Sequence, residues 1–296
     1  MQSLRFIVLI WKALVHLSRI FYGVDEAMTI VVQKFGGTSL ANLTRIKAVA
    51  AQIKQTVDGG HKVAVVVSAM AGVTNDLVAY CDSLSKTHDP KEYDTVVAAG
   101  EQVSAGLLAI ALQTIGVSAR SFLGWQLPIR TNNMHGDASI ESIETSNLQT
   151  FFKENSVAVI SGFQGLNLNN RITTLGRGGS DYTAVALAVA LKALRCDIYK
   201  DVDGVYTADP KQDKQAKKLE YVSYQNMLAM IAKGASVLQK KSVLLAMHHQ
   251  MPLYIRTSFD SSAGSLVTGD ADIPKKDPKT QARLGIYDEY RASVGV

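Results

Sequence analysis

VAVVVS, residues Val63–Ser68, contains no charged side chain, and four of its six residues are valine. Such a run has no polar side to turn toward water, so it reads as a strand covered on both faces, as in a parallel sheet between layers of helix. The same chemistry recurs on either side of it. Ile30–Phe35 (IVVQKF) reads as a buried strand, Val157–Phe163 (VAVISGF) as a third, Cys196–Val202 as a fourth and Leu253–Thr257 as a late one. Helical patterns lie between them. Leu40–Val57 repeats its apolar residues near i, i+3 and i+4, and Asp76–Ser85 follows a glycine-bearing turn at Ala69–Asn75. Asp94–Ile115 reads as one long Ala/Leu-rich helix, and Ser180 as the cap of a helix running to about Leu194. Asn167–Thr174 looks like a short hairpin, and the chain from Ser261 onward is polar and reads as a tail. Strands alternating with helices predict an α/β protein, a three-layer α/β/α sandwich with a mostly parallel central sheet.

Bulk properties narrow the function. The 296 residues suit one large α/β domain or two small ones, and 47 % hydrophobic against 19 % charged residues excludes a disordered chain. The net charge of +5 is spread over short pairs such as Lys217-Lys218, Lys240-Lys241 and Lys275-Lys276. No basic stripe interleaved with aromatics accompanies it, so nucleic acid is not an expected partner. Cys81 and Cys196 lack neighbours at metal spacing and read as free thiols of a reducing, cytoplasmic setting. Residues 1–27 are apolar, but Arg5, Lys12, His16 and Arg19 interrupt them. The longest uncharged run, Phe6–Trp11, falls short of the ~20 residues a membrane span requires. A membrane-surface helix and an upstream extension both fit; the extension is preferred, with the working domain starting at Met28.

In sheets of this kind ligands collect at the carboxyl ends of the strands, and the loops there carry the chemistry. After the first strand comes Lys34-Phe35-Gly36-Gly37-Thr38-Ser39, where glycines let a phosphate approach the backbone and Lys34 supplies a charge. A tight turn with a surface lysine reads equally well. Neither GxxxxGK[ST] nor GxGxxG occurs. After the second strand, Thr74 is either a helix cap or a ligand hydroxyl. Glu101 sits among alanines beside Gly100, so it either faces solvent or is buried with a cation. In Thr174-Leu-Gly-Arg-Gly-Gly-Ser-Asp-Tyr-Thr183, Arg177 offers a two-pronged grip on a carboxylate or phosphate. Gly178 and Gly179 expose backbone donors there, and Asp181 lies where a helix dipole favours an anion. Lys200-Asp201 to Asp209-Pro210 places Tyr206 among acidic and small residues, a setting that suits a nucleobase and ribose.

Taken in order, these segments resemble the aspartokinase family. The match rests on KFGGTS from Lys34, SAMAGVTNDL from Ser68, AAGE from Ala98, GFQG from Gly162, TTLGRGGSDYTA from Thr173 and DVDGVYTADP from Asp201. The likeness runs from about Ile30 to Val267. It implies the amino-acid-kinase fold over residues 28–268, between an extension (1–27) and a polar tail (269–296). It also implies ATP-dependent phosphorylation of L-aspartate to 4-phospho-L-aspartate, the first step toward Lys, Thr and Met. Under that resemblance Lys34 and Asp181 are catalytic. Thr74, Glu101, Arg177 and Ser180 hold aspartate, with Glu101 on its ammonium and Arg177 on its α-carboxylate. Lys34, Phe35, Gly36, Gly37, Lys200, Asp201, Tyr206 and Lys211 surround ATP. Magnesium is implied, held by ATP oxygens rather than by a protein metal site. The implied partners are L-aspartate and either a second copy of the chain or a full-length aspartokinase.

Two departures stand out. The family offers ATP a lysine in a GAK-type segment, where this chain has Gly234-Ala-Ser-Val-Leu238 with Ser236 in its place. The likeness also ends about where the family's paired ACT regulatory domains begin, so feedback through such domains is not expected here. Together they motivate an alternative, a weakly active or non-catalytic subunit that partners a full-length homologue. A kinase of the same fold acting on glutamate is a further, less favoured reading.

Overall fold

The computed structural model describes residues 28–273, Lys211 excepted. In chain order its first elements are β1 (Ile30–Phe35), α1 (Leu43–Asp58), β2 (Lys62–Val67), α2 (Val73–Leu84), α3 (Pro90–Val97), α4 (Ala99–Thr114) and β3 (Ala119–Phe122). Next come β4 (Ile129–Thr131), β5 (Ile140–Ile143), α5 (Ser146–Glu154), β6 (Val157–Ser161), β7 (Gln164–Leu166), β8 (Ile172–Thr174), α6 (Gly179–Ala190) and β9 (Arg195–Lys200). The last group is β10 (Val205–Tyr206), β11 (Lys218–Leu219), β12 (Tyr221–Ser223), α7 (Tyr224–Ala232), α8 (Lys240–His249), β13 (Leu253–Thr257) and β14 (Ser265–Thr268).

The valine run of β2 behaves as its composition requires. Val63, Val65 and Val67 face one way, with Phe35, Val157 and Val159, against Ile46, Val49 and Ile53 of α1 and Leu108 and Leu112 of α4. Ala64 and Val66 face the other way, with Val32, Ile160, Cys196 and Ile198, against Val185 and Leu187 of α6, Met227 of α7 and Val243 of α8. Both faces are therefore covered, and the sandwich has three layers. The large sheet runs in the order β12-β14-β13-β9-β1-β2-β6-β3. β13, β9, β1, β2, β6 and β3 are mutually parallel, and β14 reverses direction against β13. In register, Phe35 pairs with Val67 and Tyr199, and Val67 with Ser161. The carboxyl ends of four adjacent strands thus line up, and the loops that follow them emerge side by side. A second, smaller sheet runs in the order β5-β4-β7-β8.

Several expectations need correction. The helix expected over Asp94–Ile115 begins at Pro90, with Asp89 capping it by accepting from Lys91 N at 2.9 Å, and it is interrupted at Ala98. Proline at the first helical position loses no hydrogen bond, which favours this earlier start. Among the described residues, Pro90–Thr114 is also the one helical stretch long and apolar enough to cross a membrane, but it is half buried inside the fold and packs as a core helix. Ser180 does not cap α6; Gly178 does, in the left-handed conformation at φ 75°, which glycine adopts without strain. Gly72, at φ 87°, precedes α2, so Thr74 lies inside that helix and is not its cap. The polar stretch after Ser261 contains β14, and Ile273 is buried, so the folded domain extends past the expected boundary at 268. The expectations for residues 1–27, for Lys211 and for 274–296 lie outside the described residues.

Candidate active site

β1 delivers Lys34 to the aligned strand ends on the face covered by α6. Its ammonium lies 2.6 Å from Asp181 Oδ1, in the first turn of α6. The other Asp181 oxygen is 2.8 Å from Nζ of Lys200, the last residue of β9. Lys34 and Asp181 are buried, at 6 % and 2 % exposure, so their charges interact in a poorly screened setting. Burial would push the Asp181 carboxyl upward, but the two ammonium groups outweigh that and hold it below its ordinary value. Burial lowers the Lys34 pKa, with Asp181 opposing and Lys200 assisting. One carboxylate thus holds two cations at the strand ends, which is what a site receiving several negative charges requires.

The glycines let the parts approach. A Cβ on Gly36 would lie 3.4 Å from Lys34 Nζ, and one on Gly37 would lie 2.9 Å from the Ala69 carbonyl, in the loop after β2. The backbone at Gly36-Gly37 is therefore pressed between Lys34 and the neighbouring loop, which decides against a merely solvent-exposed turn.

Glu101 lies in the first turn of α4 and is buried at 3 % exposure. Its Oε1 accepts from Ala69 N at 2.9 Å, while Oε2 is buried without a partner. Desolvation pushes its pKa up to about 7, against the Ala69 hydrogen bond and the Lys34 charge, which lower it. The sequence left two choices, solvent or a cationic partner. The structure provides neither, only a backbone donor and one open oxygen.

Arg177 is exposed in the loop between β8 and α6, and Thr74 is partly exposed in the first turn of α2. Ser180 is buried next to Gly162, where a Cβ would come within 2.8 Å of the Ser180 side chain, so the turn after β6 presses on the start of α6. Phe35 stacks on Tyr199 at 4.5 Å between ring centroids, which fixes the end of β1 to β9 but commits the Phe35 ring to the interior. Asp201 is exposed, and the Tyr206 hydroxyl donates to Asp203 at 2.9 Å, with Lys218 on the other Asp203 oxygen at 3.0 Å. Direct contacts thus bring together Lys34, Asp181 and Lys200, while Glu101 joins the loop after β2 through Ala69.

Two features escaped the sequence reading. Phe163, between β6 and β7, holds φ at 68°, a conformation a bulky residue adopts only when its surroundings impose it. Its N–H donates to Thr183 Oγ1 at 3.1 Å, and its carbonyl accepts from Leu175 N at 2.9 Å. The aromatic flanked by glycines in GFQG was its only sequence signal. The second is the buried Asp94 carboxylate, which accepts from His135, Gly136 and Thr174.

The profile of the amino acid kinase family matches residues 29–257. Among curated relatives, an aspartokinase of Rickettsia felis is 47 % identical over 245 residues, covering 81 % of this chain and 61 % of its own length. Aspartokinase 2 of Bacillus subtilis is 45 % identical over 246 residues, covering 83 % and 60 %. The chain thus spans about three fifths of the length of the curated relatives it matches. Among solved structures, E. coli aspartokinase III in complex with aspartate and ADP superposes with a TM-score of 0.74 at 29 % identity, over 81 % of this chain and 64 % of that one.

Proposed function

The chain belongs to the amino acid kinase family, and from that premise we propose that it transfers the γ-phosphoryl group of ATP to the side-chain carboxylate of L-aspartate. The observation that carries this reading is the buried Lys34–Asp181–Lys200 cluster at the convergence of the glycine loops. The names of its relatives, and the aspartate and ADP bound to one solved neighbour, supply the substrate and the nucleotide.

An aspartate side chain has an ordinary pKa of about 3.9, so the nucleophile is already ionised at neutral pH and no general base is needed. A carboxylate oxygen forms a bond to the γ-phosphorus, the bond to the β,γ-bridging oxygen breaks, and ADP leaves with that electron pair. What the protein supplies is position and positive charge. Lys34 and the Gly36-Gly37 backbone face the phosphates, and Asp181 keeps Lys34 and Lys200 in place. Glu101 offers its open Oε2 to the substrate ammonium, Arg177 grips the α-carboxylate, and Thr74 and Ser180 complete the aspartate subsite. Lys200, Asp201 and Tyr206 border the nucleotide. Magnesium would neutralise charge on the transferring phosphates and be held by ATP oxygens. Both Asp181 oxygens already face ammonium groups, and among the described residues no three His, Cys, Asp or Glu side chains gather as a metal cage. The two cysteines are free and buried, which suits a cytoplasmic enzyme.

The product is an acyl phosphate, which hydroxylamine traps as a hydroxamate. Aspartate-dependent hydroxamate that disappears in Lys34→Ala supports the reading. An equal yield with and without Lys34 would sink it.

A further inference from the structure

Asp94 lies two helical turns before Glu101, about 10 Å along a nearly continuous helix. It is fully buried and accepts four hydrogen bonds. Its Oδ1 takes the Thr174 hydroxyl at 2.6 Å. Its Oδ2 takes Thr174 N at 3.1 Å, Gly136 N at 3.1 Å and His135 Nδ1 at 2.7 Å. Like Asp181, which Lys34 and Lys200 engage, Asp94 is a buried carboxylate held by donors from two separate segments.

Those two segments lead to Arg177. Thr174 ends β8, three residues before it. The loop at Gly136-Asp137 supports the same turn from beneath, because a Cβ on Gly176 would lie 2.7 Å from Asp137 Oδ1 and 3.3 Å from the Gly136 carbonyl. Ala138 N also donates to the Thr174 carbonyl at 2.9 Å, and His135 Nε2 lies 3.4 Å from Asn167 Nδ2 in the β7–β8 turn. On the helical side, the Ala98 carbonyl at the α3–α4 break accepts from Gln164 Nε2 of β7 at 2.9 Å. The neighbouring ion pair between Arg171 and Glu92 is exposed and contributes little by comparison.

We propose that Asp94 is a positioning residue for substrate: it fixes the arm carrying Arg177 against the helix carrying Glu101 and so sets the separation of these two residues. The inference rests on the aspartate reading given above. A site that grips an ammonium at one end and an α-carboxylate at the other discriminates aspartate from glutamate by where the side-chain carboxylate then falls. That position is only as well defined as the separation of the two grips.

Asp94→Ala removes the acceptor from all four donors. Aspartate KM is expected to rise roughly tenfold or more, with ATP KM within about twofold of wild type. The preference for aspartate over glutamate, which differ by one methylene, should fall several-fold. Hydrogen exchange across residues 172–178 should accelerate relative to β1 and β2. Asp94→Asn can keep its oxygen toward His135 and the two backbone N–H groups while its amide donates to the Thr174 hydroxyl, so it should restore most of the preference. Should Asp94→Ala not fold, His135→Ala removes one of the four donors to Asp94, together with the contact to Asn167, and is expected to show the same pattern at smaller amplitude. Aspartate and ATP KM rising together, or a lower Tm with unchanged exchange at 172–178, would overturn the proposal. A wild-type chain without aspartate-dependent turnover would refute the functional reading instead, and the exchange measurement would still report on the tie.

Discussion

Glu101 carries the sharpest consequence at the scale of single residues. Its carboxyl is pushed up to about 7 by burial, from an ordinary 4.5. Between those values the folded state keeps a proton that the unfolded state has released. The stability that the neutral group contributes is therefore complete below about pH 4.5 and is lost as pH rises through 7. Two and a half pKa units correspond to on the order of 3 kcal/mol. Glu101→Gln, uncharged and of the same shape, should be the more stable protein near pH 8 and equal to wild type near pH 4.5, as read by denaturant midpoints. An aspartate ammonium beside Oε2 would draw the carboxyl back to its charged form. Aspartate binding near pH 7 should therefore release a proton, seen as a buffer-dependent enthalpy in calorimetry; no buffer dependence would place the ammonium elsewhere. Ser236, exposed in the turn after α7, is the other residue with a clear prediction. Placing there the lysine that the aspartokinase resemblance implies, Ser236→Lys, should lower ATP KM several-fold and leave aspartate KM unchanged; no change in ATP KM would remove Ser236 from the nucleotide subsite.

At the scale of elements, the site depends on how closely α4 can approach the loop after β2. Gly100 permits it, since a Cβ there would lie 2.7 Å from the Ala69 Cβ and 3.3 Å from Val73 Cγ1. Ala69 is also the residue whose N–H holds Glu101. Gly100→Ala should push the helix and loop apart, costing about 1–3 kcal/mol of stability, and should weaken aspartate binding through the lost Ala69–Glu101 bond. A denaturation midpoint and an aspartate KM both matching wild type would contradict this. The elements also show where sequence reading succeeds and fails. β1 and β2 are legible because a run of β-branched residues leaves no alternative. The true start of α3 was legible in Asp89-Pro90, a cap followed by proline, although the longer apolar pattern distracted from it. Ser180 looked like a cap because its type favours that position, but a left-handed Gly178 took the role, and φ is not written in the side chain. β4 and β5 are three and four residues long with mixed polarity, too short for any period to register.

At the scale of the whole molecule, the three-layer sandwich was readable because alternation of buried strands and amphipathic helices admits few architectures. The candidate site was readable as a set of loops, because such sheets gather their loops at one edge. Its internal pairing was not. Nothing in the sequence says that Asp181 holds both Lys34 and Lys200, since that depends on the aligned register of β1 and β9. Nor does it say that Glu101 answers to a backbone N–H, or that Asp94 joins α3 to the Arg177 arm. Those links arise from tertiary approach and became visible only with the fold.

One buried carboxylate and two lysines are proposed to serve phosphoryl transfer to aspartate. The most direct test of this role is ADP release by the purified chain with magnesium and ATP, measured with and without L-aspartate across a range of ATP concentrations. Turnover should depend on aspartate, saturate only at high ATP if Ser236 stands where the nucleotide needs a lysine, and fall at least about a hundredfold in Asp181→Asn. ADP release indifferent to aspartate, or unaffected by loss of the Asp181 charge, would contradict this role.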